Sequence, residues 1–191
     1  MPLATKRARR LKFLAGLTGL VGLTLLAAGV TLSAAAPSGK ALPPLQPWVD
    51  VTPTGGLLRI PAGTYAGPVV IDRPMTIDGE GKVTLDGADH GTVLSIKTDN
   101  AIIRNLRIIR SGTSHDRIDS GILVEGNHNR IESNQVEDVL FGITLQRAND
   151  NLVANNTIRS KPWDIADRGD GLRLWYSTRN RIERNDIAQI R

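Results

Sequence analysis

The sequence predicts an all-β chain wound as a right-handed parallel β-helix, with asparagine-rich corners and coils of about 22 residues. Three observations predict it. First, Asn129–Val136, Asn151–Ile158 and Asn180–Ile187 share one frame: Asn, a β-branched residue two on, Asn five on, and Val or Ile seven on. Second, a glycine-led strand pattern precedes each, at Gly121-Ile122, Gly142-Ile143 and Gly171-Leu172. Third, with a weaker copy at Gly91, Asn100, Ile102 and Asn105, the first Asn recurs after 29, 22 and 29 residues. Registered repeats of this length belong to solenoids, whose units bury their apolar faces only against one another. An antiparallel sandwich with Asn in its turns does not explain four copies in register.

The frame has a physical reason. Corners need left-handed backbone, which Asn and Gly tolerate. Stacked coils put like residues about 4.8 Å apart, so corner asparagines can form a hydrogen-bonded ladder. Strand alternation points Ile122/Val124, Ile143/Leu145 and Leu172/Leu174 inward, and Leu123, Thr144 and Arg173 outward.

From the start, residues 1–12 carry Lys6, Arg7, Arg9, Arg10 and Lys12, and the next charge is Lys40. Phe13–Leu32 is apolar apart from Gly and Thr, and Ser33–Ala36 offers small residues for cleavage. Residues 1–36 therefore predict an export signal to the periplasm or, left uncleaved, an N-terminal membrane anchor. Arg9-Arg10 is similar to a twin-arginine signal, but Lys12 stands where that motif prefers Phe, which favours the general secretory route. Five of the 24 basic residues lie in this segment, leaving 19 against 19 acidic ones. The net charge of +5 thus belongs to the leader and gives no warrant for nucleic-acid binding. There is no cysteine, which excludes thiolate metal sites and disulfide staples.

Residues 37–56, with Pro37, Pro43, Pro44, Pro47 and Pro53, predict a linker and a cap, with Trp48 over the first coil. From Leu57, short β runs alternate with turns at Gly63, Gly67, Gly79, Gly81 and Gly87, and no stretch after residue 36 shows a convincing amphipathic helix. Residues 57–191 predict the β-helix, of six or seven coils at most. It stops at Arg191 without a polar capping segment, so the sequence predicts a chain truncated at its C-terminus.

Gly63–Pro74 followed by Gly79-Glu80-Gly81, Leu85-Asp86-Gly87 leading into Gly91–Leu94, and Arg168–Ser177 with its Leu174-Trp175-Tyr176-Ser177 phrase are similar to the N-terminal part of the NosD family. The Asn repeats are shared more widely, by β-helix proteins of the carbohydrate-binding and sugar-hydrolase type. The resemblance implies an exported, non-enzymatic accessory protein. It would help assemble the copper centres of nitrous oxide reductase, with an ABC transporter ATPase, its membrane subunit, the reductase and a copper chaperone as partners. Copper as a ligand rests on the resemblance alone, and no firmly bound cofactor is expected. Met75 is the only Met after the start, and His90, His115 and His128 share no short ligand spacing.

The residues themselves add one inference. Both long steps carry insertions at the same place in the coil, around 111–120 and 161–170. Their roots lie two coils, roughly 10 Å, apart on one edge. They gather His115, Asp116, Asp119, Trp163, Asp164, Asp167 and Asp170, a candidate surface for a partner, a hard metal or a sugar, since loops on rigid scaffolds carry function. The plainer reading is that Asp, Ser and Gly only make turns there. The rival class is a carbohydrate-binding, cleaving or epimerising protein acting on polysaccharide. Asp119, Asp167, Asp170, Arg117 and Arg168 could serve it, with Trp175 stacking on a sugar. A structural surface β-helix is a third reading.

Overall fold

The structure is a computed structural model and describes residues 41–191, so the expected leader at 1–36 lies outside the described residues. Its short strands stack in parallel as a solenoid of about five turns, as the repeat predicts. A helix α1 (Gln46–Val51) comes first. The strands follow: β1 (Leu57–Arg59), β2 (Gly63–Ala66), β3 (Val69–Ile71), β4 (Thr76–Asp86), β5 (Leu94–Ile96), β6 (Ile102–Ile109), β7 (Ser120–Val124) and β8 (Arg130–Glu132). Then come β9 (Gln135–Val139), β10 (Phe141–Gln146), β11 (Leu152–Ala154), β12 (Thr157–Ser160), β13 (Leu172–Trp175), β14 (Arg181–Glu183) and β15 (Asp186–Ala188).

One face of the coil is the sheet β13-β10-β7-β5-β3. The other two belong to one folded sheet in which β6 turns the corner. Its first half pairs with β8, then β11 and β14; its second half pairs with β9, then β12 and β15. Register is strict. Ile77, Ile103, Ile131, Val153 and Ile182 form one column, and Val69, Leu94, Ile122, Ile143 and Leu172 another. These columns are the core, with Ile77, Ile103, Ile131, Ile122 and Ile143 fully buried. Each such aliphatic side chain contributes about 1.5–3 kcal/mol by leaving water. Thr144 occupies its outward register yet is buried, its Oγ1 2.9 Å from Ser120 Oγ.

The asparagine ladders form, with a sharper division of labour than the sequence suggested. Asn129, Asn151 and Asn180 make one ladder, the side-chain oxygen of each accepting the backbone N–H of the residue one coil earlier. Asn134, Asn156 and Asn185 make the second in the same sense. These asparagines have ordinary backbone; the left-handed residue is the one before, as at His128, Asp150 and Arg179 (φ 55–58°). This shifts the weak first copy by one residue. Ala101 and Leu106 donate to the Asn129 and Asn134 oxygens, while Asn100 and Asn105 take the left-handed corners. A third column runs in the opposite sense: Asn127 N–H donates to Asp99, Asn149 N–H to Asn127 and Thr178 N–H to Asn149.

Residues 41–56 form a folded segment. Leu45 and Val49 are fully buried and Trp48 stays 42% exposed, so the helix seals the first coil through different residues from the one the sequence pointed to. Gln46 accepts the Val70 N–H at 2.7 Å and donates to the Val70 carbonyl at 3.0 Å, occupying the edge of β3 as a strand would. Arg73 donates to the carbonyls of Val49, Asp50 and Thr52, satisfying the helix C-terminus. Tertiary contacts hold this single turn and a half, which propensity would not.

Candidate functional site

The two insertions rise beside β7 and β13, separated by β10, the expected two-rung spacing. The first is closed on itself. Asp119 is 2% exposed; its Oδ2 accepts the Ser114 N–H at 2.9 Å and its carbonyl accepts the Phe141 N–H at 3.2 Å. Gly112 lies so close to this carboxylate that any side chain there would collide with it. Asp119 thus shapes its loop, whereas His115 and Asp116 are exposed on it.

The second insertion hangs from a buried cation. Lys161 is 2% exposed, and its Nζ lies 2.9 Å from Asp89 Oδ1, 3.5 Å from Asp138 Oδ1 and 5.5 Å from the Trp163 ring centre. Asp89 in turn sits 3.9 Å from Arg110, whose Nε donates to Asp86 at 2.8 Å. Charges thus alternate along this corner and fix the loop root. Burial works against ionisation of Asp86, but Arg110 and the Ala88 N–H outweigh it and hold the carboxyl below its usual range. Past the root, Arg168 Nε donates to the Trp163 carbonyl at 2.7 Å, and Ile165–Asp167 makes a 3-10 turn. Asp164 and Asp167 are exposed, and Asp170 is 3.8 Å from Arg173.

A chain of rings and one guanidinium runs from the first insertion across β10 and β13. His115 meets Phe141 edge-on at 5.7 Å. Arg173 lies 5.4 Å from the centres of both Phe141 and Trp175, and Trp175 meets Tyr176 at 5.3 Å and 88°. The structure therefore joins His115 and Trp175 into one surface through Phe141 and Arg173. Sequence reasoning passed over Phe141, Arg173, Tyr176 and Lys161. The signal for Phe141 was present: it directly precedes the strand glycine, where a β-helix coil needs no large ring.

A copper centre does not fit these residues. Met75 is 2% exposed within the core, and His90, His115 and His128 lie on separate loops and corners. Among the described residues no three His, Cys, Asp or Glu side chains come together as metal ligands.

Comparison with known proteins places the scaffold. Residues 76–190 match the family model described as "Periplasmic copper-binding protein (NosD)". A "Probable ABC transporter binding protein NosD" from Pseudomonas aeruginosa is 28% identical over 144 residues, covering 71% of this chain and 32% of that protein. One of the same name from Stutzerimonas stutzeri is 26% identical over 174 residues, covering 90% of this chain and 38% of that protein. The chain thus spans about a third of the length of the curated relatives it matches. No solved structure matches it. Both relatives are named as binding proteins and neither as an enzyme. The resemblance of the repeat frame is upheld over residues 76–190, and the chain belongs to the NosD family.

Proposed function

We propose that this chain is an exported, periplasmic accessory protein in the assembly of the copper centres of nitrous oxide reductase. It docks to the ATPase-driven membrane subunits of an ABC transporter, and in turn to the reductase or its copper chaperone, through the edge carrying the two insertions. The observation that carries the reading is the family match over 76–190, joined to relatives named for binding an ABC transporter. The exposed Asp116, Asp164 and Asp167, on loops with anchored roots, support the choice of surface. The described residues present no copper ligand set, so the reading assigns this region a docking role and routes no metal through it.

The test is co-purification of the tagged full chain with the transporter subunits expressed beside it. Asp167→Ala with Asp170→Ala is expected to abolish recovery of the subunits while leaving the thermal midpoint unchanged. Recovery equal to the parent chain would remove the insertion edge as the docking surface.

A further inference from the structure

We propose that the outer face of helix α1 is a membrane-contact surface, lying on the periplasmic side of the bilayer that residues 13–32 are long enough to span. The inference concerns the chain with its leader uncleaved, and it rests neither on the transporter role nor on the insertion edge.

Helix α1 and its cap Leu45 divide into three stripes. Leu45 and Val49 point inward and are fully buried. Gln46 and Asp50 form the side toward β3, the Gln46 amide donating to Asp50 Oδ1 at 2.7 Å and to the Val70 carbonyl at 3.0 Å. Pro47, Trp48 and Val51 take the remaining side and are exposed. Val51, at 81%, is the most exposed large apolar side chain among the described residues. A surface helix normally turns a polar face to water; this one turns an apolar face outward.

This face is not the open end of a solenoid awaiting a coil. The edges of the first rung are already taken. The Pro43 carbonyl accepts the Ala66 N–H at 2.9 Å, and the Gly55 N–H donates to the Pro74 carbonyl at 2.6 Å. The last carbonyls of the helix are taken too, those of Val49 and Asp50 by Arg73 and that of Trp48 by Thr52 Oγ1. Outside this finished cap stand a proline ring, an indole and two methyls, over backbone that needs little from water. That is what contact with lipid requires.

Two features of the sequence choose lipid as the occupant. Phe13–Leu32 carries no charge and has the length of one bilayer crossing, and the basic residues at 6–12 keep its N-terminal side in the cytoplasm. Residues 33–40 then reach at most about 29 Å when fully extended, so α1 is the first described element after the crossing. Tryptophan is the side chain suited to that boundary, with its ring toward the acyl chains and its N–H among the headgroups.

The experiment reconstitutes the full chain, leader included, into phosphatidylcholine vesicles with and without bromine on the upper acyl carbons. Trp163→Phe with Trp175→Phe leaves Trp48 as the sole tryptophan. Its fluorescence should lose most of its intensity in brominated vesicles, because an interfacial helix sits about 5–10 Å into the headgroup–acyl boundary. Trp48→Phe, which keeps the other two tryptophans, should lose none, since β13 lies four rungs from β3, about 19 Å along the axis. Val51→Asp, added to the chain with Trp48 alone, separates contact from tethering. With its circular dichroism unchanged, it should still float with the vesicles while the quenching of Trp48 is lost. A full chain that does not float, Trp48 unquenched in a chain that does, quenching unmoved by Val51→Asp, or equal quenching of Trp163 and Trp175 would each overturn the proposal. Trp48 emission shifted to the blue yet unquenched would overturn it as well, and assign the face to a protein partner.

Discussion

Asn156 shows what a ladder residue does. Its side-chain oxygen takes the Asn134 N–H, its amide donates to the Ile131 carbonyl at 2.9 Å, and it is 1% exposed. Asn156→Ala leaves two buried backbone groups of the preceding coil, the Asn134 N–H and the Ile131 carbonyl, without these partners, and should cost about 1–3 kcal/mol per orphaned group, read by urea unfolding. The sequence showed these asparagines plainly, because their recurrence is their function. It hid which residue turns the corner. Left-handed backbone accepts His128, Asp150 and Arg179 as readily as Asn100, so residue identity does not mark it. Asp86 gives a test by pH. Its carboxyl is held below the ordinary 3.8, so the Arg110 pair contributes stability above that value and loses it as pH falls through the folded pKa. The difference in thermal midpoint between the parent and Asp86→Asn should be largest at neutral pH and vanish in strong acid.

At the scale of elements, the strands were legible because period-two alternation marks both faces of a strand, and Ile122/Val124 and Ile143/Leu145 lie where alternation put them. Helix α1 was not, since the five prolines in and around it argue for a linker and its stability comes from Gln46 and Arg73 contacts more than twenty residues away. The insertions were legible in position, and less so in content: Asp119 turned inward to close its loop. Seven extra residues add only about 0.2 kcal/mol of loop-closure entropy to a coil of this size, so such loops lengthen at little cost. Position must then come from anchors. Lys161→Met should leave the coils intact, because Asp89 and Asp138 remain half exposed, yet loosen the loop. Limited proteolysis should cut within 161–170 faster in the variant. Gly142→Ala acts differently. Its methyl would press on the Gly171 carbonyl and Ile158, and the expected loss of about 1–3 kcal/mol would appear as a lowered thermal midpoint.

At the scale of the whole described solenoid, fold and function separate. The repeat specifies the scaffold and is shared too widely to name a role; the family match over 76–190 supports the proposed role, and the broken repeats carry the proposed surface. The strict register has a further, kinetic meaning. Neighbours in the ladders are 22, 28 or 29 residues apart, so every coil closes a loop of similar length. Among the described residues no hydrogen bond or ion pair spans a much greater distance along the chain except Lys161–Asp89, 72 residues apart. The solenoid should therefore assemble as a zipper, each finished coil templating the next from the rung that α1 seals. In pulse-labelled hydrogen exchange, amides of β4 and β6 should gain protection before those of β13 and β14. A lesion such as Gly142→Ala should stall the zipper at its own rung and leave the earlier coils protected.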